Sequence, residues 1–309
     1  MPLFSASGTS LKQIHEQTFS LEKDIQKLTE ENLKTVFGYE FVSTEFQLNN
    51  LRIDTLAFDH ENKSFVIIEY KKDRNLSVID QGYTYLALLL NNKADFILEY
   101  NERTGQTIKR DDVDWSQSKV VFISPEFTTY QKGAIEFRDL PIELWEVKRY
   151  ENDMVLYAEL KAPQVNESIS TISRDKTITA VSKEIREYSL EDHLQKGSEN
   201  TRSLFEQLHK KILELDEAMR VEFKKTYIAY KLDTNVVDIV ITPSKLWVFL
   251  NIRSGKLTDP YGIARDLTQP KKIGHLGNGD YDIRLGDAGD IDKCFELITQ
   301  AYANQKHGE

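Results

Sequence analysis

Hydrophobic positions fall in short runs along the first half of the chain, and their spacing predicts most of its elements. Residues 51–58 and 65–70 are strand-length runs rich in Ile, Val, Leu and Phe. The polar cluster Asp59-His60-Glu61-Asn62-Lys63 divides them, which predicts a β-hairpin. Ahead of it, Leu21, Ile25, Leu28, Leu33, Val36 and Phe37 recur at helical spacing, with Ser20 as a cap and Gly38 as a stop. Residues 39–48 alternate as a strand, and residues 1–19 read as an irregular or partly helical lead-in. After the hairpin, residues 77–90 predict a helix capped by Ser77. Residues 95–100, 119–124 and 142–147 read as strands, with a short helix over 127–137 and with Trp145 and Tyr150 as core residues. Strands flanked by helices predict an α/β fold with a mixed sheet.

From residue 161 to about 200 the texture turns to Ser, Thr, Asn and charge, which reads as a linker, helical in part over 182–195. Beyond it, Leu204, Phe205, Leu208, Ile212 and Leu215 form a helical stripe. Strands follow over 227–230, 236–241 and 245–252, and Ile291, Phe295, Ile298 and Tyr302 mark a closing helix. The expected organisation is a domain over 1–160, a linker over 161–200 and a smaller α+β domain over 201–309.

Charge inside the first hairpin is what points to chemistry. Asp54 interrupts the first run, and Glu69 and Lys71 close the second. Side chains alternate faces along a strand, so Glu69 and Lys71 share one, and a twisted hairpin brings Asp54 alongside. Unpaired buried charge costs several kcal/mol, so a partner or a hard divalent cation is expected there. Gln81 and Tyr85, four apart, share a face of the next helix, as they also would in any amphipathic helix.

Asp54 followed by Glu69-Tyr70-Lys71 resembles the active-site signature of the PD-(D/E)XK nuclease superfamily, and Gln81 with Tyr85 resembles the QxxxY element of its RecB-like branch. The resemblance implies a restriction-endonuclease-like mixed sheet flanked by helices and a Mg²⁺- or Mn²⁺-dependent DNA nuclease. It implies Asp54, Glu69 and the Tyr70 carbonyl as metal ligands, with Lys71, Gln81 and Tyr85 completing the catalytic set. A glutamate on the preceding helix often reaches the metal or its waters in this superfamily; Glu22 fits best, with Glu31 as the competitor. Glu45 is expected to face solvent. The last third of the chain resembles a domain of unknown activity that follows nuclease-like or restriction-associated modules in bacteria, which implies restriction or phage defence, with DNA repair next.

Composition changes this picture in three places. At 309 residues and 40% hydrophobic content, the chain is long enough for two cores. No apolar run approaches the ~20 residues of a membrane span, no export signal is visible, and the single Cys294 excludes an intramolecular disulfide framework and a Cys-based zinc site. These features lead us to expect a cytoplasmic protein. A formal net charge of −10 runs against nucleic-acid binding, so a local basic groove around Lys71, Lys72 and Arg74 is expected instead. In the second domain, Tyr227, Tyr230 and Trp247 are candidates to stack on bases, or else core residues, and Lys224, Lys225 and Lys231 are candidates to meet phosphates. Asp259, Arg265, Asp266, His275 and Asp280 fall in glycine-rich loops as candidate pocket residues, although residues 277–280 also read as a plain hairpin loop. A homodimer is the simplest arrangement for two cuts in a duplex. The other reading is a nuclease fold that binds without cutting and works through its C-terminal domain.

Overall fold

The computed structural model describes residues 3–71, 78–135, 140–161, 175–185, 188–232, 234–270 and 279–306. The chain divides into two compact units, Met1–Arg186 and Glu187–Glu309. In the first, β1 (Leu3–Ser7) and β2 (Ser10–Ile14) form a separate two-stranded hairpin, and β3 (Glu16–Gln17) pairs with a later strand. The expected irregular lead-in is therefore β structure, closed at Gly8 in the left-handed region (φ 59°). Helices α1 (Glu22–Glu31) and α2 (Leu33–Phe37) follow, the second ended by Gly38 at φ 75°.

Strands β4 (Glu40–Leu48) and β5 (Leu51–Asp59) are joined through Asn49 and Asn50, both at positive φ, as a two-residue hairpin turn requires. β6 (Ser64–Tyr70) completes the hairpin predicted from the sequence. Then come α3 (Val78–Asn91), α4 (Lys93–Thr104), β7 (Lys119–Ser124), α5 (Thr129–Ala134), β8 (Ile142–Tyr150), β9 (Val155–Glu159) and α6 (Lys176–Glu184). The sheet runs β3-β8-β7-β6-β5-β4, with β9 paired to β8; β6-β7 and β7-β8 are parallel and the other pairs antiparallel.

Alternation along β6 distributes the core. Phe65 and Ile67 pack with Leu86 and Leu89 of α3 on one face, while Val66, Ile68 and Tyr70 pack with Ile25 of α1 on the other. Glu69 and Lys71 therefore project to the α3 face. Two expectations are corrected. Residues 95–100 are helix, because Phe96 and Tyr100 are buried while Leu98 is 56% exposed, a period of four rather than two. The stretch expected as linker contains α6, whose Ile178 and Val181 belong to the core that includes α3.

The second unit has an antiparallel sheet, β10 (Arg220–Phe223), β11 (Ile228–Lys231), β12 (Asn235–Ile241), β13 (Leu246–Leu250), β14 (Ala264–Asp266) and β15 (Tyr281–Leu285), in the order β10-β11-β12-β13-β15-β14. Its helices are α7 (Leu190–Leu194), α8 (Glu199–Leu213) and α9 (Ile291–Lys306). Leu204, Leu208 and Ile212 of α8 and Leu297 and Ile298 of α9 pack on Val237, Ile239, Val248 and Ile283. The α/β architecture and the smaller α+β unit expected from the sequence are thus the fold. Among the described residues, no helix is long and apolar enough to cross a membrane.

Candidate active site

Asp54, Glu69 and Lys71 are only 9%, 4% and 9% exposed, although they sit in apolar strands. Glu69 Oε1 accepts from Lys71 Nζ at 2.7 Å and from Gln81 Nε2 of α3 at 2.9 Å. Gln81 Nε2 also lies 3.2 Å from the Tyr85 hydroxyl, which donates to the carbonyl of Arg52 at 2.9 Å. The second oxygen, Glu69 Oε2, is buried with no hydrogen-bond partner among the described residues. Gln81 reaches this site because Gly82 lets α3 approach the sheet closely: a Cβ at Gly82 would lie 2.5 Å from Cδ1 of Ile142.

Asp54 lies where the ladder between β5 and β6 ends. Their register stops at Thr55 opposite Ile68, and past that point Asp54 Oδ2 accepts from the Tyr70 N–H at 3.1 Å. Burial, and then the neighbouring Glu69 charge, push the Asp54 carboxyl up to about 6; the Tyr70 N–H and Lys71 act in the opposite direction. Burial and the same glutamate raise the Tyr85 hydroxyl above its ordinary value. Among the described residues, the centre therefore holds more negative charge than its lysine balances.

Such a centre suits a hard divalent cation. Among the described residues, no group of three or more His, Cys, Asp or Glu side chains is arranged to hold a metal. Two carboxylates with a free buried oxygen fit Mg²⁺ or Mn²⁺, ions that complete their shells with water and phosphate oxygens. Glu22 opens α1, is exposed, and is a weaker contributor to the raised Asp54 carboxyl. Glu31, at the other end of α1, is also exposed. Glu45 is bound to Arg52 at 2.9 Å and is partly shielded from solvent. Lys72, Arg74 and Ser77 lie outside the described residues.

Gln26 of α1 is a site neighbour that the sequence pattern does not mark. Its amide Nε2 lies 3.0 Å from the Asp54 carbonyl oxygen, 3.0 Å from Thr44 Oγ1 and 3.1 Å from Glu30 Oε1. Glu30 Oε1 in turn accepts from the Thr55 hydroxyl at 2.6 Å. No spacing rule predicts this contact, because its target is a backbone atom 28 positions away.

The second unit corrects several expectations. Tyr227 and Tyr230 are 4% and 0% exposed and offer no face to a base; the Tyr230 hydroxyl lies 2.6 Å from His209 Nδ1. Lys224 and Lys231 are turned to Glu222, at 2.7 and 3.5 Å. Trp247 is 37% exposed, with the Arg284 guanidinium 3.6 Å from its ring centre. The loop acids hold turns rather than line a pocket. Asp259 accepts from the N–H groups of Tyr261, Gly262 and Ala264, Asp266 from Ser254 and Thr268, and Asp280 from the Ser254 N–H. Arg265 is bound through two nitrogens to Asp282, both at 2.9 Å, and Arg284 meets the same carboxylate at 2.7 Å. His275 lies outside the described residues.

Fold and site together define a two-unit α/β protein with a buried carboxylate–lysine centre at the end of a β-hairpin. Over 302 residues the chain is 44% identical to an "uncharacterized protein" of Haemophilus influenzae, covering 97% of this chain and 99% of that one; the chain belongs to the family of that protein. Residues 190–305 match the model of a family described as a domain of unknown function, DUF5655. Among solved structures, the chain is similar to a repair endonuclease from Pyrococcus abyssi, at 16% identity over 43% of this chain and 50% of that one, with a TM-score of 0.26. It is also similar to the chain of an EndoMS–double-stranded DNA complex, at 17% identity over 42% and 47%, with a TM-score of 0.25. The chain thus spans about half the length of each of those solved chains.

Proposed function

We propose that this protein is a divalent-metal-dependent nuclease that hydrolyses DNA phosphodiester bonds. The observation that supports it best is the charge imbalance in the hairpin. Among the described residues, two buried carboxylates face one lysine and Glu69 Oε2 has no partner, and Asp54 is pushed up to about 6. A site made only for packing would pair or replace these charges.

On this reading Asp54, Glu69 and the Tyr70 carbonyl would hold Mg²⁺ or Mn²⁺, with Glu22 as a further carboxylate that would act through water. The bound ion supplies Lewis-acid charge that activates water and offsets the negative charge developing on the phosphate. Lys71, now on Glu69 Oε1, orients the attacking water or meets that developing charge with its compact ammonium. Gln81 fixes the Glu69 carboxylate, and Tyr85 ties Gln81 to the β5 backbone, so the two hold the acid's geometry through binding and release. A role in restriction, phage defence or repair follows the resemblance of the sequence motifs.

The test is incubation of wild type and Glu69→Ala with supercoiled plasmid and single-stranded circular DNA in Mg²⁺, Mn²⁺ or EDTA. Metal-dependent cleavage that the variant loses supports the reading. Absence of cleavage together with absence of Mn²⁺ uptake by calorimetry removes it and leaves a nuclease-type fold that only binds.

A further inference from the structure

We infer that Gln26 is a positioning residue of the Asp54–Glu69 site, clamping the β5 backbone at the point where the sheet releases it; this rests on the proposed metal-dependent reading for its functional consequence. Asp54 has no strand partner on either side, although the β4–β5 register is unshifted at that point. Between β4 and β5 the pairs run Thr44 with Thr55 and then Phe46 with Ile53, omitting Glu45 and Asp54, and between β5 and β6 they end at Thr55 with Ile68. Glu45, opposite Asp54, has φ 54°, a left-handed conformation that is strained for a residue with a side chain.

A backbone carbonyl set free in a sheet interior needs a donor. Gln26 supplies the shorter bond at 3.0 Å, with the Thr44 hydroxyl donating to the same oxygen at 3.5 Å, and Gln26 is itself only 8% exposed. The amide is aimed by Thr44 Oγ1 and Glu30 Oε1, and Glu30 is anchored by the Thr55 hydroxyl, on the residue next to Asp54. From the opposite face, the Tyr85 hydroxyl takes the carbonyl of Arg52, two residues earlier. Helices on both sides of the sheet thus grip β5 around the acid. With its backbone held, the Asp54 carboxylate can turn to the Tyr70 N–H and stay near Glu69 instead of following the strand.

The consequence is read in the metal-free protein first. Gln26→Met keeps the side-chain length but has no N–H to donate, and Gln26→Leu, of similar size and uncharged, has the same loss. Asn32→Ala is the control: Asn32 closes the same helix, and its exposed side-chain amide donates to the Leu28 carbonyl at 2.8 Å. Hydrogen exchange of the Tyr70 amide is expected to accelerate at least tenfold in both Gln26 variants, with the Ile67 and Ile68 amides unchanged. Mn²⁺ affinity by calorimetry is expected to fall about 10- to 100-fold, the usual effect of losing a residue that orients a metal ligand. Asn32→Ala is expected to change neither. Unchanged Tyr70 exchange in the Gln26 variants, or the same acceleration in Asn32→Ala, overturns the clamp. If wild type takes up no Mn²⁺, the metallonuclease reading fails, while the amide comparison still decides the clamp.

Discussion

Both units bury carboxylates in a β-sheet, yet the two settings differ in charge balance. In the second unit Asp282 is 1% exposed and is held by Arg265 through two nitrogens and by Arg284 through a third, so one acid meets two cations. In the first unit, among the described residues, two acids share one lysine, and an oxygen of Glu69 is left over. Burial alone therefore does not mark a functional site. A carboxylate matched by its own chain needs nothing further, whereas an unmatched pair retains affinity for an added cation.

The comparison can be broken at either end. The largest effect is expected for Glu69→Gln, which should reduce metal-dependent cleavage by roughly 10³-fold or more, because it removes a metal ligand's charge and with it the activation of water. Circular dichroism should show the fold intact; a rate within threefold of wild type would put the chemistry elsewhere. Next, Asp282→Ala strands two arginines, and should cost about 3 kcal/mol of stability, the lower end for a broken buried pair because Arg265 is half-exposed. A thermal melt unaffected by that change would remove the structural role assigned to the cluster.

Asp54→Asn should act in the other direction, raising stability in EDTA by about 1–2 kcal/mol while removing Mn²⁺ uptake. The sign follows from proton binding. Asp54 holds its proton up to about 6 in the folded chain and to 3.8 as its ordinary value. Between those values the folded state carries the extra proton, so this group's contribution to stability falls as pH rises through that window and is level above it. Denaturant melts of wild type and Asp54→Asn from pH 4 to 7 test this; parallel curves would mean that burial and Glu69 do not disfavour the charged form of Asp54. The smallest effect is expected for Gly82→Ala. Its new methyl meets the end of the Ile142 side chain, which can shift, so a cost of about 1 kcal/mol is expected, with a loosened Gln81–Glu69 contact read by a modest loss of activity.

The hairpin was legible in the sequence because its signals are local: two apolar runs, a polar turn, and a period of two that places Glu69 with Lys71. The α3 helix and the Gln81–Tyr85 pair were legible for the same reason. Residues 95–100 were misread because a short apolar run is compatible with either period, and only the exposure of Leu98 between buried Phe96 and Tyr100 resolves it. The tyrosines of the second unit were ambiguous because composition does not reveal which face a neighbouring helix covers.

What the sequence by itself determined about this protein is the identity and order of its elements around the hairpin and the residue types converging there, since both follow from interactions among near neighbours. Only the tertiary structure decided that Glu69 Oε2 has no partner among the described residues, that Asp282 meets two arginines, and that Gln26 grips the Asp54 carbonyl. Those outcomes depend on where separate helices and strands bring their side chains, and on a backbone conformation at Glu45 that no side-chain pattern encodes.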